Sequence, residues 1–359
     1  MTVLIAGGGV AGAAAACLLG PRATLIERET RPHDKICGEF ISWEGQEALA
    51  RLGLDLMSLG AAPIHAVRLV HGSTTSSATL PAPGLGLSRR VLDQAMLAQA
   101  ARSGATILRG HTVRRLTAGG LEVYGMGRIE AERILLATGK HDLRGARRRA
   151  QPEDLVGLKM YFRLAPDQAA AQEEHVDVVL FPGGYAGLQP VEDGLANLCL
   201  LIRRTAFDAA GATWPGVMQH LARTSPHLAR RLQGATPHLD RPVAIFRMPY
   251  GFVHDPAPGD PPDVLRLGDQ MGVIPSFSGD GMAIALHTAF AAVASLHDPD
   301  AYHRRLRQDL RGQIGRAMLL HRLGQAHPRL LALAARAWPG ALALVARLTR
   351  VPSARLAWR

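Results

Sequence analysis

The chain has 359 residues, with 41 lysines and arginines against 30 acids. Residues 301–359 carry twelve arginines and one acid, Asp309, while residues 1–300 are neutral, so the whole excess of +11 sits in a C-terminal tail. A nucleic-acid-binding body is excluded on that ground, because the larger part of the chain offers phosphate no electrostatic footprint. An apolar share of 47% describes a globular chain. Three widely spaced cysteines, Cys17, Cys37 and Cys199, and the lack of a basic segment before the first apolar run point to a cytoplasmic protein without disulfides. Only Lys35, Lys140 and Lys159 are lysines, which makes each a candidate for a role that a guanidinium cannot fill.

In chain order, Thr2–Ala6 is an unbroken apolar run, as expected of a strand buried on both faces. GGGVAG and an alanine-rich helix former follow, then a second apolar run at Ala23–Glu27, which completes a βαβ unit. Apolar spacing predicts a helix over Arg90–Ser103. Strands are predicted at 105–108, 111–116, 121–124 and 129–137. An alternating pattern runs from about Leu158 to Ile202, with a turn at FPGGYAG. Residues 214–233 read as helical and Val243–Phe246 as a strand. Residues 254–263, HDPAPGDPPD, form a linker before a strand at Val264–Leu267 and a helix at Ser278–Leu296. His65, His71, His175, His254 and His287 show no ligand spacing, so no metal site is expected.

Gly7-x-Gly9-x-x-Gly12 lies between the first strand and helix. The first glycine permits the tight turn, the second lets the backbone approach a pyrophosphate, and the third lets helix and strand pack closely. The helix start, with Val10 and Ala11, then directs amides at the anion. Glu27 ends the second strand twenty residues after Gly7, where a carboxylate accepts from a ribose hydroxyl. This selects FAD or NAD over NADP. Further on, Asp269 ends a strand, Pro275 kinks a loop, and glycines open a long helix. Asp269 can accept from ribityl hydroxyls, and amides around Gly281 and Met282 can stabilise charge on a reduced flavin.

With these motifs the sequence resembles the FAD-dependent superfamily that joins group A aromatic hydroxylases, flavin-dependent halogenases and geranylgeranyl reductases. The resemblance is carried by GGGVAG with Glu27, KICGEFIS (35–42), SRRVLD (88–93) and GDQMGVIPSFSGDGM (268–282). It implies an α/β fold: a Rossmann-like FAD-binding domain of glutathione-reductase type, an inserted mixed-sheet substrate domain and a C-terminal helical tail. The expected divisions are 1–155 and 264–300 for FAD, 156–263 for substrate and 301–359 for the tail. FAD would be held by Gly7, Gly9, Val10, Ala11, Gly12, Glu27, Arg28, Lys35, Gly38, Asp269, Gly281 and Met282. Arg89 would contact the ribityl-pyrophosphate side, and backbone at Val113 the adenine.

Cys37 and Pro275 are the catalytic candidates. Cys37 either sits against the isoalloxazine, in a positive field from Lys35 two residues away, or is a small residue that fits its loop. Glu39 is either a substrate-facing base or a loop acid paired with an arginine. The sequence also departs from the family. The Asp-Gly that many members carry reads Ala137-Thr138-Gly139-Lys140-His141-Asp142, which leaves NAD(P)H and a separate reductase both open as electron source. The halogenase Trp-x-Trp-x-x-Pro is absent. The prenyl reductase signatures survive only as Cys37-Gly38-Glu39 and Pro249-Tyr250-Gly251-Phe252.

The favoured activity is a monooxygenase that oxidises an aromatic, polyketide or isoprenoid molecule with molecular oxygen through a flavin hydroperoxide. Tyr161, Phe181, Tyr185 and Phe246 are either its pocket residues or plain core. The alternatives are a reductase of a prenyl-type substrate and a flavoprotein that docks on a membrane or acidic partner.

In the tail, Tyr302, Leu306, Leu310, Ile314 and Met318 repeat every four residues as a helical stripe. Leu330–Leu348 is apolar but interrupted by Arg336, Pro339-Gly340 and Arg347, so two short amphipathic helices are predicted rather than a span. Either they lie on the anionic inner face of a membrane, or they pack on the FAD domain and show their arginines to water.

Overall fold

The computed structural model describes residues 1–150, 153–338 and 340–358. Pro339, one of the predicted interruptions, lies outside the described residues.

Val3–Ala6 is a strand with every residue buried, and it sits at the centre of a parallel sheet. The strand order is Val264–Arg266, Arg133–Leu136, Val3–Ala6, Ala23–Glu27, Thr106–Arg109. Chain direction across the sheet reverses between Val3–Ala6 and Arg133–Leu136. That is the switch point outside whose carboxyl ends ligands bind in open α/β sheets. The helices Val10–Leu19 and Gly281–Ala294 pack on each other there, their alanines permitting close approach.

The strand expected at 129–137 is two strands. Gly127–Glu130 closes an antiparallel meander with Val113–Thr117 and Gly120–Val123, and Arg133–Leu136 joins the parallel sheet. Glu132, at the break between them, accepts from the Thr2 amide at 2.9 Å, which fixes the crossing.

A second, mixed sheet of nine strands contains the predicted alternating stretch as Leu155–Arg163, Glu174–Phe181, Gly184–Pro190 and Ala196–Arg203. It also contains Ala62–His71 and Thr74–Gly86, for which sequence periodicity gave no prediction. Ala62–His71 runs parallel to Glu174–Phe181, so this sheet does not begin at residue 156. The helix expected at 214–233 is broken at Pro226, which cannot donate to the turn before it. Ser225 caps the second piece by accepting from Leu228 N.

The tail packs on the body. Along the helix Pro299–Ala326 the whole stripe from Tyr302 to Met318 is buried, and the Tyr302 hydroxyl donates to Arg266 O at 2.7 Å. Helices Pro328–Ala337 and Gly340–Leu348 lie against Thr74–Gly86, with Ser76 Oγ donating to Ala335 O at 2.8 Å. The chain then returns to the helix Gly281–Ala294, where Trp358 is buried and Ala357 N donates to His287 Nδ1 at 3.1 Å. Among the described residues no single helix is long and apolar enough to cross a membrane.

Candidate functional site

A cavity of about 790 Å³ is lined at one end by the loop after Val3–Ala6 and at the other by the last tail helices. The helix Val10–Leu19 starts at Gly9 with no side-chain cap, so its first amides are free to meet an anion. Gly7 has φ +106°, and a Cβ there would meet Ala137 O at 2.4 Å. A Cβ on Gly12 would stand 1.9 Å from Gly7 O, so this glycine sits behind the loop and permits the close packing without lining the cavity. Buried Glu27 accepts from Gly8 N at 2.7 Å and from Glu29 N at 3.0 Å, which holds its carboxylate at the loop.

Two cations face the same loop. A Cβ on Gly9 would lie 3.3 Å from Arg89 Nη2 and 3.8 Å from Lys35 Nζ. Asp93 fixes both: Lys35 Nζ donates to it at 2.8 Å, and Arg89 donates through Nε at 2.8 Å and Nη2 at 3.0 Å. Burial works to raise the Asp93 pKa, but Arg89 and then Lys35 outweigh it and hold the carboxyl below its ordinary range. The cluster is thus a preformed site of net charge +1 beside a helix N-terminus, suited to a diphosphate. Asp93 was not among the expected residues, although its spacing four residues after Arg89 on one helix is a readable signal. Arg28 stands exposed on the cavity rim in an ion pair with Glu29, and Val113 lines the wall.

Midway, Cys37 and Gly38 line the cavity, and a Cβ on Gly38 would meet nothing within 4 Å. Asn197 Nδ2 donates to both of their carbonyls at 3.0 Å. Cys37 Sγ accepts from Glu39 N at 3.3 Å, and Lys35 is engaged by Asp93.

Glu39 is a loop acid, fully buried and off the cavity wall, and its partner is a lysine rather than an arginine. It accepts from Lys159 Nζ, from Arg89 N at 2.7 Å and from the Tyr161 hydroxyl at 2.8 Å. Lys159 also donates to Lys35 O at 3.1 Å. Burial pushes the Glu39 carboxyl up and Lys159 pulls it back, with a net rise.

Asp269, Gly281 and Met282 line the cavity from the other side. The Asp269 carboxylate makes no hydrogen bond among the described residues, while Arg148 braces its carbonyl at 3.0 Å. Pro275 is not on the wall. Ile274 and Ser276 are, and Pro275 O accepts from Ser278 Oγ at 2.9 Å within the turn.

The far end is apolar, with Leu69, Leu80 and Val178 from the second sheet facing Leu331, Leu342 and Val345 from the tail. A polar group breaks this wall. Tyr250 Oη lies 2.5 Å from Ser276 Oγ, Tyr185 Oη accepts from Phe277 N at 3.2 Å, and the His321 ring packs edge-on to both tyrosines and stacks on Phe277. Burial pushes both phenols up, so they remain neutral hydroxyls. Of the four expected pocket aromatics only Tyr185 lines the cavity. Tyr161 is buried behind it, Phe181 belongs to the separate core of the second sheet, and Phe246 is half exposed. His321 carried no signal in the sequence, because only the fold of the tail brings it here.

No family model matches the chain. It is 26% identical over 335 residues to digeranylgeranylglycerophospholipid reductase 2 of Methanosphaera stadtmanae, covering 85% of this chain and 81% of that protein. Among solved structures, a flavin-dependent brominase superposes with a TM-score of 0.79 at 18% identity, covering 97% of this chain and 92% of its own. The myxobacterial chondrochloren halogenase gives 0.73 at 18% identity, with 99% and 95% covered. A geranylgeranyl bacteriochlorophyll reductase-like protein from Thermoplasma acidophilum gives 0.69 at 16%, with 99% and 94% covered. The chain therefore has the α/β fold shared by these proteins, as its motifs led one to expect, with a helical C-terminus.

Proposed function

We propose that this chain is an FAD-dependent oxidoreductase that uses molecular oxygen to oxidise a hydrophobic small molecule. The observation that carries this reading is one continuous cavity, which joins a cradle suited to a diphosphate to an apolar chamber. The residues present fit FAD: free helix amides with Lys35 and Arg89 for the pyrophosphate, Glu27 for the ribose, Asp269, whose carboxylate has no partner among the described residues, for the ribityl chain, and Gly281 and Met282 for the ring. Bound there, FAD supplies two-electron redox chemistry.

The chain's own residues do the rest. The apolar walls exclude water and hold a greasy substrate. The neutral hydroxyls of Tyr185 and Tyr250 offer hydrogen bonds to its polar end, and Cys37, on the cavity wall, would face the bound flavin. The decisive experiment gives FAD-loaded, reduced protein a panel of hydrophobic phenols and polyenes under isotopically labelled oxygen. Label in the product is the expected result. Turnover that continues undiminished after oxygen is removed overturns the reading.

That second outcome would favour a reductase of a prenyl-type substrate. The similarity to a digeranylgeranylglycerophospholipid reductase is the observation on its side. Electron delivery from NAD(P)H, directly or through a separate reductase, is read in the same assay by omitting each in turn.

A further inference from the structure

The helices Pro328–Ala337 and Gly340–Leu348 have two unlike faces. Leu331, Leu342 and Val345 turn inward and wall the cavity. On the outside, Leu330, Leu333 and Trp338 are 64%, 53% and 60% exposed, and Leu344 and Leu348 are exposed beside them. Interspersed are Arg329, Arg336 and Arg347, all exposed and none in an ion pair among the described residues. No acid follows Asp309 in the sequence, and Asp309 is itself buried between His287, Arg305 and Arg355. The outer surface is therefore leucine, tryptophan and arginine without a compensating anion.

That composition fits one kind of partner, a sheet of anionic head groups over an apolar interior. Neither helix alone is long enough to span; together they have the length and apolarity of a span, but they are bent by 115° at the break, and the outward leucines and tryptophan with arginines between them suit a pair that lies on a bilayer. Their inner faces are continuous with the apolar end of the cavity. A hydrocarbon chain that leaves the bilayer at this place would move from one apolar surface to another without crossing water.

We propose that this helix pair seats on an anionic lipid surface, and that the cavity receives through it a substrate carrying a long hydrocarbon chain. The substrate half rests on the oxidoreductase reading above, whereas the docking half does not. The test uses the full chain loaded with FAD and no substrate, co-sedimented with vesicles of phosphatidylcholine alone or with phosphatidylglycerol added. Binding is expected only with phosphatidylglycerol and should fall as salt is raised. The triple variant Arg329→Glu, Arg336→Glu, Arg347→Glu should bind about a hundredfold more weakly. The variant Leu330→Glu, Leu333→Glu, Trp338→Glu should bind no vesicles while keeping its flavin, which reports an intact fold.

No sedimentation of the wild type at low salt overturns the proposal. So does binding that both variants leave unchanged, or a stable dimer in solution that either variant dissolves. Because vesicle binding is read without turnover, its failure leaves the oxygen-labelling result untouched, and the reverse also holds.

Discussion

At the glycine-loop end of the cavity, Lys35, Arg89 and Asp93 are fixed to one another by charge-assisted bonds, and Gly7 and Gly12 leave no room for a side chain. At the tail end the walls are leucine and valine side chains contributed by segments more than 250 residues apart, such as Leu69 and Leu331. The first end is rigid and chemically specific because its partners are hydrogen-bonded in directions that a ligand must match. The second is shaped by packing alone, which selects for volume and apolarity and tolerates change.

The largest test of this contrast is Asp93→Ala, which leaves two cations unpaired in a mostly buried site. Stability should fall by about 3–5 kcal/mol, and purified protein should lose its flavin absorbance. Wild-type melting with full flavin content would erase the distinction between the ends.

Asp280 probes the seam between them. It is buried at the start of the helix Gly281–Ala294, where it accepts from Gln313 and from Val351 N of the returning tail. Burial, against the pull of Arg350, raises its pKa from 3.8 to about 7. Through that interval the folded chain holds a proton that the unfolded chain has released. Stability is therefore greatest below pH 4 for this group and declines as pH rises to about 7, by roughly a few kcal/mol. Thermal unfolding of Asp280→Asn should lack this component, and identical pH profiles for the two proteins would refute the assignment.

Gly12→Ala comes next, at about 1–3 kcal/mol from overpacking, seen as weakened flavin retention because the loop must shift. The smallest expected effect is at the other end. Leu342→Ala should raise KM for a long-chain substrate roughly tenfold and leave flavin affinity unchanged. A change in flavin affinity would show that the two ends are coupled.

The glycine-loop end was legible because its physics is local. Gly7, Gly9 and Gly12 answer to one turn, and Glu27 to the strand that follows; all stand where their spacing placed them relative to the loop. The stripe from Tyr302 to Met318 was legible for the same reason, since four-residue periodicity says which face is buried. Ala62–His71 was not: although it forms a hairpin with Thr74–Gly86, its pattern of burial is irregular and its register shifts between Ile64 and Ala66, so no period of two shows. Tyr250 and His321 meet across 71 positions through the tail, so nothing near either residue in the sequence announced the contact. Pro275 itself does not line the cavity, whereas its neighbours Ile274 and Ser276 do.

Glu39 and Lys159 carry a consequence for descent. The pair joins the Cys37 loop to the strand Leu155–Arg163, next to one edge of the second sheet, with Glu39 held at φ +65° and both side chains sealed from water. Losing either partner alone strands a buried charge, while replacing both with apolar residues of similar size is close to neutral. Drift at these two positions must therefore pass through a narrow gate, and homologues should either keep both or have exchanged both. An aligned set of relatives in which one position varies freely while the other stays fixed would contradict that history.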